Sequence, residues 1–524
     1  MLRIFAAIAA LSLAVPAQAE WLRADSEHFV VFADDSAKDV ARFAEMLERY
    51  HAAMSFVTGR EVDTPSPSNR VTIYAVGSAR NIRKLAGIKN IGGFYIPRAG
   101  SSVAFVPNVR PSSGELDFSM ITLLHEYAHH FLIGSSRFAM PRWMNEGGAE
   151  FFASARFPRD GEVQIGRPAV HRAYELALAP DVSIENLLAR GNVERGGDNP
   201  DDNFYGRSWA LYHYLTFAPE RKGQLLEYAR RIAAGVSSRE AAVIAFGDLH
   251  ALDRDLDTYL KKRKMLSFVL QPDLLPIRPI TVEQLSAGMD EMLPTIIRSK
   301  RGVDREAALE ILEDAREVAA RYPGDAGVLA ALAEAEFDAG NDDASIAAAD
   351  AALAIDVTVK NALVQKGFAL FRKAEEADDE EAAFAAAMRP FSALNRLEPD
   401  HPLPLIYYYR SFVERGAAPN ETARHALERA AQLSPFDRSL AMNAGLMQAG
   451  EGKIAIARNT LGPVAADPHG GSMARAAQRY LEELAEVAEG TEWSPPHEVN
   501  LTAALAASAG KNDDDDGDEE DAAD

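Results

Sequence analysis

Two histidines and a glutamate stand within five residues, in the segment His125-Glu126-Tyr127-Ala128-His129. In a helix, residues four apart share one face, so both imidazoles can reach a single metal ion at about 2.0–2.1 Å. Glu126 lies between them, where it can serve as the base for a metal-bound water. The chain has only 12 histidines in 524 residues, so a chance match is rare, on the order of 0.02 per chain. The segment predicts a zinc hydrolase site with one Zn²⁺ per chain, although affinity order alone leaves manganese and cobalt as alternatives.

A second motif follows at residues 143–150, which read Trp-Met-Asn-Glu-Gly-Gly-Ala-Glu. The two motifs together resemble those of the gluzincin superfamily of zinc peptidases, which includes thermolysin. The resemblance implies that Glu146 is the third zinc ligand and that the fourth position holds water. It also implies that Glu150, one helical turn further on, orients His125 through its second ring nitrogen. The alternative is that Glu150 binds the metal and Glu146 does not.

A third segment, Tyr205-Gly206-Arg207-Ser208 and the residues up to 215, resembles one that a family of zinc aminopeptidases carries. The resemblance implies that Tyr205 donates a hydrogen bond to the oxyanion of the tetrahedral intermediate, while His213 is a weaker candidate for that role. The alternative is a helix whose aromatic side chains fill the core. The upstream motif with which those aminopeptidases hold a free amine has no counterpart here, so the resemblance does not extend to exopeptidase activity.

The elements around the site predict a small mixed sheet with helices, and the resemblance to gluzincins implies an α+β zincin-like domain. Strands are expected at 28–32, 71–76 and 102–106, an amphipathic helix at 37–50, and further helices between 169 and 266. We expect a substrate backbone to pair with an exposed strand edge near Val103–Val106. His130 follows the metal motif on another face of its helix and is interpreted as a structural residue.

Beyond residue 301 the chain becomes rich in alanine and acidic residues, with regularly spaced helix breaks. The intervals between these breaks are 34, 42, 36 and 33 residues, and the breaks fall at Pro323, Val357, Pro399, Pro435 and Pro468. Paired helices with a period near 34 resemble tetratricopeptide repeats (TPRs). The repeats predict either a concave surface for a protein partner or a helical cap that stabilises the enzyme.

The two ends of the chain have their own character. A secretory signal peptide is predicted from Arg3, the apolar run after it and Ala17-Gln18-Ala19. The alternative is that this segment is retained as an anchor. A cleaved signal peptide predicts a periplasmic or secreted protein without a further membrane segment. Residues 511–524 hold nine acidic residues and one lysine, which predicts a disordered, solubilising tail, with calcium capture as the alternative.

Composition excludes some partners and ligands. The net charge of −23 argues against nucleic-acid binding, which needs clustered lysine and arginine. The chain has no cysteine, so zinc ligands must be His, Asp or Glu. The predicted organisation is a signal peptide at 1–19, a peptidase domain at 20–267, a Pro-containing linker at 268–300, TPR-like repeats at 301–490 and an acidic tail at 491–524.

These observations favour a zinc peptidase that cleaves peptide or protein substrates, with Glu126 as general base and with repeats that bind substrate or a partner protein. Two alternatives remain at this point. One is a non-catalytic TPR scaffold with a vestigial metal site, and the other is a zinc hydrolase of a non-peptide amide or ester. A purely structural zinc site has no need of Glu126.

Overall fold

The computed structural model describes residues 21–60, 62–89, 91–110, 115–136, 138–158, 160–190 and 202–495. The predicted signal peptide and nearly all of the predicted acidic tail lie outside these residues. Within these ranges no helix is both long and apolar enough to cross a membrane. The described chain forms an N-terminal region around a mixed sheet and a C-terminal region of packed helices.

Among the described residues, eight strands form two sheets in the N-terminal region. The larger sheet has the order β4-β5-β3-β2-β1-β8, and β6 pairs with β7 in a two-stranded ribbon. Within the larger sheet β2, β3 and β5 run parallel and the other pairs are antiparallel. The strands are β1 (Leu22–Asp25), β2 (Phe29–Ala33), β3 (Val71–Ala75), β4 (Phe94–Ile96), β5 (Val103–Val106), β6 (Val163–Ile165), β7 (Phe268–Leu270) and β8 (Thr281–Gln284).

In the described part of the chain, ten α-helices belong to the N-terminal region and eleven follow it. The first ten are α1 (Ala37–Thr58), α2 (Ala79–Ala86), α3 (Phe118–Ser135), α4 (Arg142–Ala153), α5 (Ala173–Leu178), α6 (Ile184–Ala189), α7 (Phe204–Phe217), α8 (Gln224–Ala233), α9 (Ser238–Phe246) and α10 (Leu249–Leu260). The others are α11 (Ala287–Lys300), α12 (Arg305–Arg321), α13 (Ala326–Asp338), α14 (Asp342–Ile355), α15 (Lys360–Ala374), α16 (Glu380–Leu397), α17 (Pro402–Val413), α18 (Glu421–Leu433), α19 (Arg438–Gly450), α20 (Ile454–Ala465) and α21 (Gly471–Leu484).

Alternating side chains along the strands bury both faces of the larger sheet. On one face Val31 and Ile73 join the main core, which also contains the buried residues of α1, α3, α4 and α7. On the other face Tyr74 and Phe105 pack with Leu293 of α11. The sheet is therefore a layer between the site-bearing helices and the first helix of the C-terminal region.

The predicted strands at 28–32, 71–76 and 102–106 are present as β2, β3 and β5, within one residue at each end. The predicted free strand edge near Val103–Val106 is wrong, because β5 pairs with β3 on one side and β4 on the other. The edge strand there is β4, a three-residue segment that is too short to give a clear sequence pattern.

The segment 268–300, predicted as a linker, is instead structured. It contains β7, β8 and α11, and β8 pairs with β1 at the far side of the sheet. The closely spaced prolines that suggested a linker lie in the short connections between these elements, while Pro294 lies within α11. Prolines at element margins do not interrupt hydrogen bonding, so their density marks turns here and no domain boundary.

The predicted helical repeats are confirmed by the packing of the C-terminal helices. Each helix from α11 to α21 contacts the next one along the chain, and α13 also contacts α11 and α15. Contacts with both the next helix and the one after it are typical of stacked helical pairs. Small buried side chains such as Ala333, Ala349 and Ala352 bring neighbouring helices close together.

The helical repeats lie directly against the N-terminal region. Asn69 donates its side-chain amide to the carbonyl oxygen of Leu433 at 2.6 Å and accepts from Ser434 Oγ at 3.2 Å. The backbone amide of Ala99 donates to Asp437 Oδ2 at 3.0 Å. These bonds involve side chains that are buried or nearly so, and they hold the start of α19 next to the end of the sheet.

His401 is a buried group at this junction. Its Nδ1 accepts from the backbone amide of Leu403 at 3.3 Å and caps α17, and its ring lies against Gly100. Burial lowers the pKa of His401 to about 4. Because the unfolded-state pKa is about 6.5, the unfolded chain binds a proton first as the pH falls, and this favours unfolding.

His401→Asn keeps a capping side chain but removes the titration. We expect wild type to lose about 2 kcal/mol of stability relative to this variant between pH 7 and pH 5. Urea unfolding at the two pH values measures the difference. If the difference in the free energy of unfolding between wild type and variant does not change with pH, the lowered pKa of His401 is contradicted.

Candidate metal centre

The first part of the candidate site is α3, which begins with a side-chain cap. Asp117 Oδ1 accepts from the backbone amide of Met120 at 2.9 Å, which satisfies an amide that the helix cannot use. Leu124 and Ala128 are fully buried on the core side. This packing fixes the rotation of the helix and brings the Nε2 atoms of its two motif histidines to 3.0 Å from each other.

The second part is α4, whose residues are almost all buried. Its Glu146 side chain is 0 % exposed, and Oε2 lies 3.3 Å from His125 Nε2 and 3.4 Å from His129 Nε2. Neither carboxylate oxygen has a hydrogen-bond partner among the described residues. Ligands at about 2.0–2.1 Å around a tetrahedral ion are about 3.3 Å apart. The three measured separations match that edge, so the donor set fits zinc.

Two glycines allow α4 to lie this close to its neighbours. A Cβ at Gly147 would overlap the carbonyl oxygen of Ser208 in α7, and one at Gly148 would come within 3.0 Å of Leu132 in α3. The Glu-Gly-Gly sequence therefore has a packing reason, because the helix that carries Glu146 is wedged between two other helices.

The outer nitrogen of each histidine also has an acceptor. His129 Nδ1 lies 3.0 Å from Asn145 Oδ1, and His125 Nδ1 lies 3.3 Å from Glu150 Oε1. Since these oxygens accept, each Nδ1 carries a proton, and the Nε2 atoms of both rings face the cluster. The structure thus places Glu150 at His125 and not among the three converging atoms, which belong to His125, His129 and Glu146.

Charge in the cluster is strongly coupled. Burial disfavours charge on His125, but contacts with Glu146 and Glu150 outweigh it and raise the pKa of His125 to about 10. Burial likewise opposes ionisation of Glu146, yet the charges of His129 and His125 hold the pKa of that carboxyl well below its usual range. A cation is therefore favoured among these groups, and a metal ion that binds there must displace the proton.

The ionised form of Glu150 is stabilised by partners that the sequence alone does not reveal. His171 Nε2 and Arg172 Nη2 each lie 2.6 Å from one of its carboxylate oxygens. Although burial opposes charge, these contacts and that with His125 hold the pKa of Glu150 well below its usual range. Residues 171 and 172 stand in no motif, and only the folded chain brings them to α4.

Tyr205 lies at the start of α7, with Arg172 over its ring at 4.7 Å. The charge of Glu146, followed by burial, raises the pKa of Tyr205 to about 12. The phenol is therefore protonated at neutral pH and can act as a hydrogen-bond donor near the cluster.

Glu126 lies beside the cluster and is only partly exposed. Its Oε2 is 3.8 Å from Nε2 of His469, which belongs to the turn between α20 and α21. The His469 ring also meets the His129 ring edge-on, with centroids 5.3 Å apart. A residue from the helical repeats therefore contacts the candidate base and a candidate ligand, and sequence reasoning missed it because no local pattern marks position 469.

The remaining histidines considered from the sequence have other partners. His130 Nδ1 bonds the Tyr95 hydroxyl at 2.7 Å, in accord with a structural role. His213 is fully buried between the Tyr259 hydroxyl and the carbonyl oxygen of Gly166, which leaves it no nitrogen for an oxyanion. Tyr212 packs against the two glycines of α4.

No family model matches this chain, and no curated protein matches it either. Among solved structures, the thermophilic TPR protein TTC0263 of Thermus thermophilus is similar over 38% of this chain and 99% of its own, with 12% identity and a TM-score of 0.31. A MamA structure is similar over 38% of this chain and 94% of its own, with 15% identity and a TM-score of 0.25. The MamA RS-1 ArsTM double mutant has 17% identity, the same coverage and a TM-score of 0.25. No functional conclusion follows from likenesses at this level.

Asn145→Ala removes the acceptor at His129 Nδ1, and we expect zinc affinity to fall by about 10–100-fold. Competition with a chromophoric chelator measures the change. Asn186→Ala, at an exposed position of α6, is the matched control and should bind zinc like wild type. Equal affinities for the two variants would show that Asn145 does not orient His129.

Proposed function

We propose that the N-terminal region is a zinc-dependent peptidase of the gluzincin type, in an exported protein. The observation that carries the proposal is the Glu146 carboxylate, fully buried, without a hydrogen-bond partner among the described residues, and 3.3–3.4 Å from two imidazole nitrogens. A buried carboxylate of this kind requires a balancing cation, and two histidines with one glutamate form a donor set typical of catalytic zinc.

His125, His129 and Glu146 would hold the ion, which would supply a Lewis acid for the substrate carbonyl and for the attacking water. Glu126 takes the proton from the attacking water and delivers it to the leaving amine. Tyr205, protonated at neutral pH, donates to the carbonyl oxygen as charge develops there, a contribution of about 3 kcal/mol for one such donor.

Substrates of this proposed enzyme are peptides or proteins, and the repeats bind substrate or a partner protein. The presence of Glu126 next to the three donors supports an enzyme over a TPR scaffold with a vestigial metal site, because a structural zinc needs no base. The same donors and base would also serve a non-peptide amide or ester, so the test must follow peptide bonds directly.

Glu126→Gln removes the base but none of the three donors. We expect zinc content to equal that of wild type and turnover to fall by about 10²–10⁴-fold. Metal analysis gives the first quantity, and mass spectrometry of new peptide termini in a proteome-derived peptide library gives the second. Glu317→Gln, at an exposed carboxylate of α12, is the matched control and should cleave like wild type.

The possible results separate the three functions. Cleavage by wild type and the Glu317 variant only is the expected outcome. Full cleavage by Glu126→Gln would refute the role of the base. The scaffold would be favoured by two results together. The wild type binds zinc but releases no peptides, and Glu126→Gln fully restores the phenotype of cells that lack the protein. Hydrolysis of ester or amide probes without peptide cleavage would favour the third function.

A further inference from the structure

The turn between α20 and α21 is built to hold His469 in place. Asp467 Oδ1 accepts from the backbone amide of His469 at 2.9 Å, and the backbone amide of Gly470 donates to the Asp467 carbonyl at 3.1 Å. Gly470 has φ +68°, a left-handed conformation that glycine adopts without strain. The other oxygen of Asp467, Oδ2, accepts from Arg438 Nε at 3.0 Å. The turn is thereby tied to α19.

The same part of the helical repeats packs against α3 and α4, the helices that carry the candidate metal ligands. Phe436, just before α19, stacks on His130 of α3 with centroids 4.4 Å apart. Arg438 and Pro463 line a small cavity together with Asn145, the acceptor for His129. These contacts hold α19 and α20 next to α3 and α4.

Among the described residues, the His469 side chain faces a charged group at Glu126, in the geometry described above. Its Nε2 faces Glu126 Oε2 at 3.8 Å, while its ring edge meets His129. A separation of 3.8 Å is longer than a hydrogen bond but short enough for one bridging water. Catalytic hydrogen bonds are often long in a substrate-free enzyme and shorten when substrate binds.

We propose that His469 is a positioning residue for Glu126, so that the repeat region completes the catalytic site and is more than a separate binding module. The inference rests on the proposed hydrolase function. An imidazole N–H donated to Glu126, directly or through a water, holds one carboxylate oxygen and leaves the other directed at the reacting water. His469 is not a fourth ligand in this assignment, since the converging donor atoms belong to His125, His129 and Glu146.

Three substitutions separate positioning from packing. His469→Ala removes the ring, His469→Phe keeps the volume without a donor, and His469→Gln keeps an N–H at nearly the same reach. We expect kcat to fall by about 10–100-fold in the Ala and Phe variants, the range seen when a group that orients a catalytic residue is lost. The Gln variant should recover to within about threefold of wild type, with KM changed little in all three.

Two further readouts do not depend on turnover. Zinc content and the visible spectrum of the Co²⁺-substituted protein should be the same in wild type and the His469 variants, because the ligand set is intact.

The matched control for turnover is His425→Ala, at an exposed position of α18. It removes a histidine elsewhere in the repeats and should leave kcat unchanged.

Several results would overturn the inference. These are wild-type kcat in His469→Ala, equal losses in the Gln and Ala variants, or a changed Co²⁺ spectrum, which would make His469 a ligand. If a lower thermal midpoint shows that the Ala variant is poorly folded, the kcat values of the Phe and Gln variants are compared instead, and equal values overturn the inference. A wild type that binds zinc but cleaves nothing contradicts the proposed function and this inference together, whereas an equally active His469→Ala contradicts the inference alone.

Discussion

A carboxylate removed from water must be balanced by positive charge or by hydrogen bonds. Glu146 is fully buried, and the groups within reach of its Oε2 are two imidazole nitrogens. The surrounding structure follows from this requirement. α3 presents both rings on one side, α4 brings the carboxylate to them, and Glu150, which is bound to His171 and Arg172, holds one ring from behind.

The compensation of buried charge continues beyond Glu146, in the residues that contact the outer nitrogens of the two histidines. Arg172 joins Glu150 to the Tyr205 ring, so a single guanidinium supports the outer partner of His125 and lies over the candidate oxyanion donor. Asn145 performs the equivalent task for His129 without adding charge. Two histidines one helical turn apart thus have different outer partners, one ionic and one neutral, which limits the total charge buried around the site.

The parts of the site that the sequence predicted are those set by local geometry. His125 and His129 share a helix face because they are four residues apart, and the same spacing relates Glu146 to Glu150. The close approach of the two helices was predicted from a resemblance to known peptidases, and in the structure the donor atoms of His125, His129 and Glu146 lie together. His171, Arg172 and His469 were missed because they reach the site only through tertiary packing, for which a single sequence carries no periodic signal. The edge strand β4 and the closing strand β8 were missed for other reasons, since β4 has only three residues and the side chains of β8 are mostly exposed.

The larger sheet also constrains the order in which the molecule can form. β1 lies between β2 and β8, and the backbone amide of Trp21 bonds Asp290, 269 residues away in the chain. A polypeptide delivered from its amino end, by the ribosome or across a membrane, has made β1 long before its second neighbour exists. Such distant pairing is slow to form because a long loop must close first. Until residues 281–284 emerge, the amides and carbonyls on one side of β1 have no strand to pair with. A nascent chain of this protein therefore has an unpaired strand edge to which chaperones or other chains can bind.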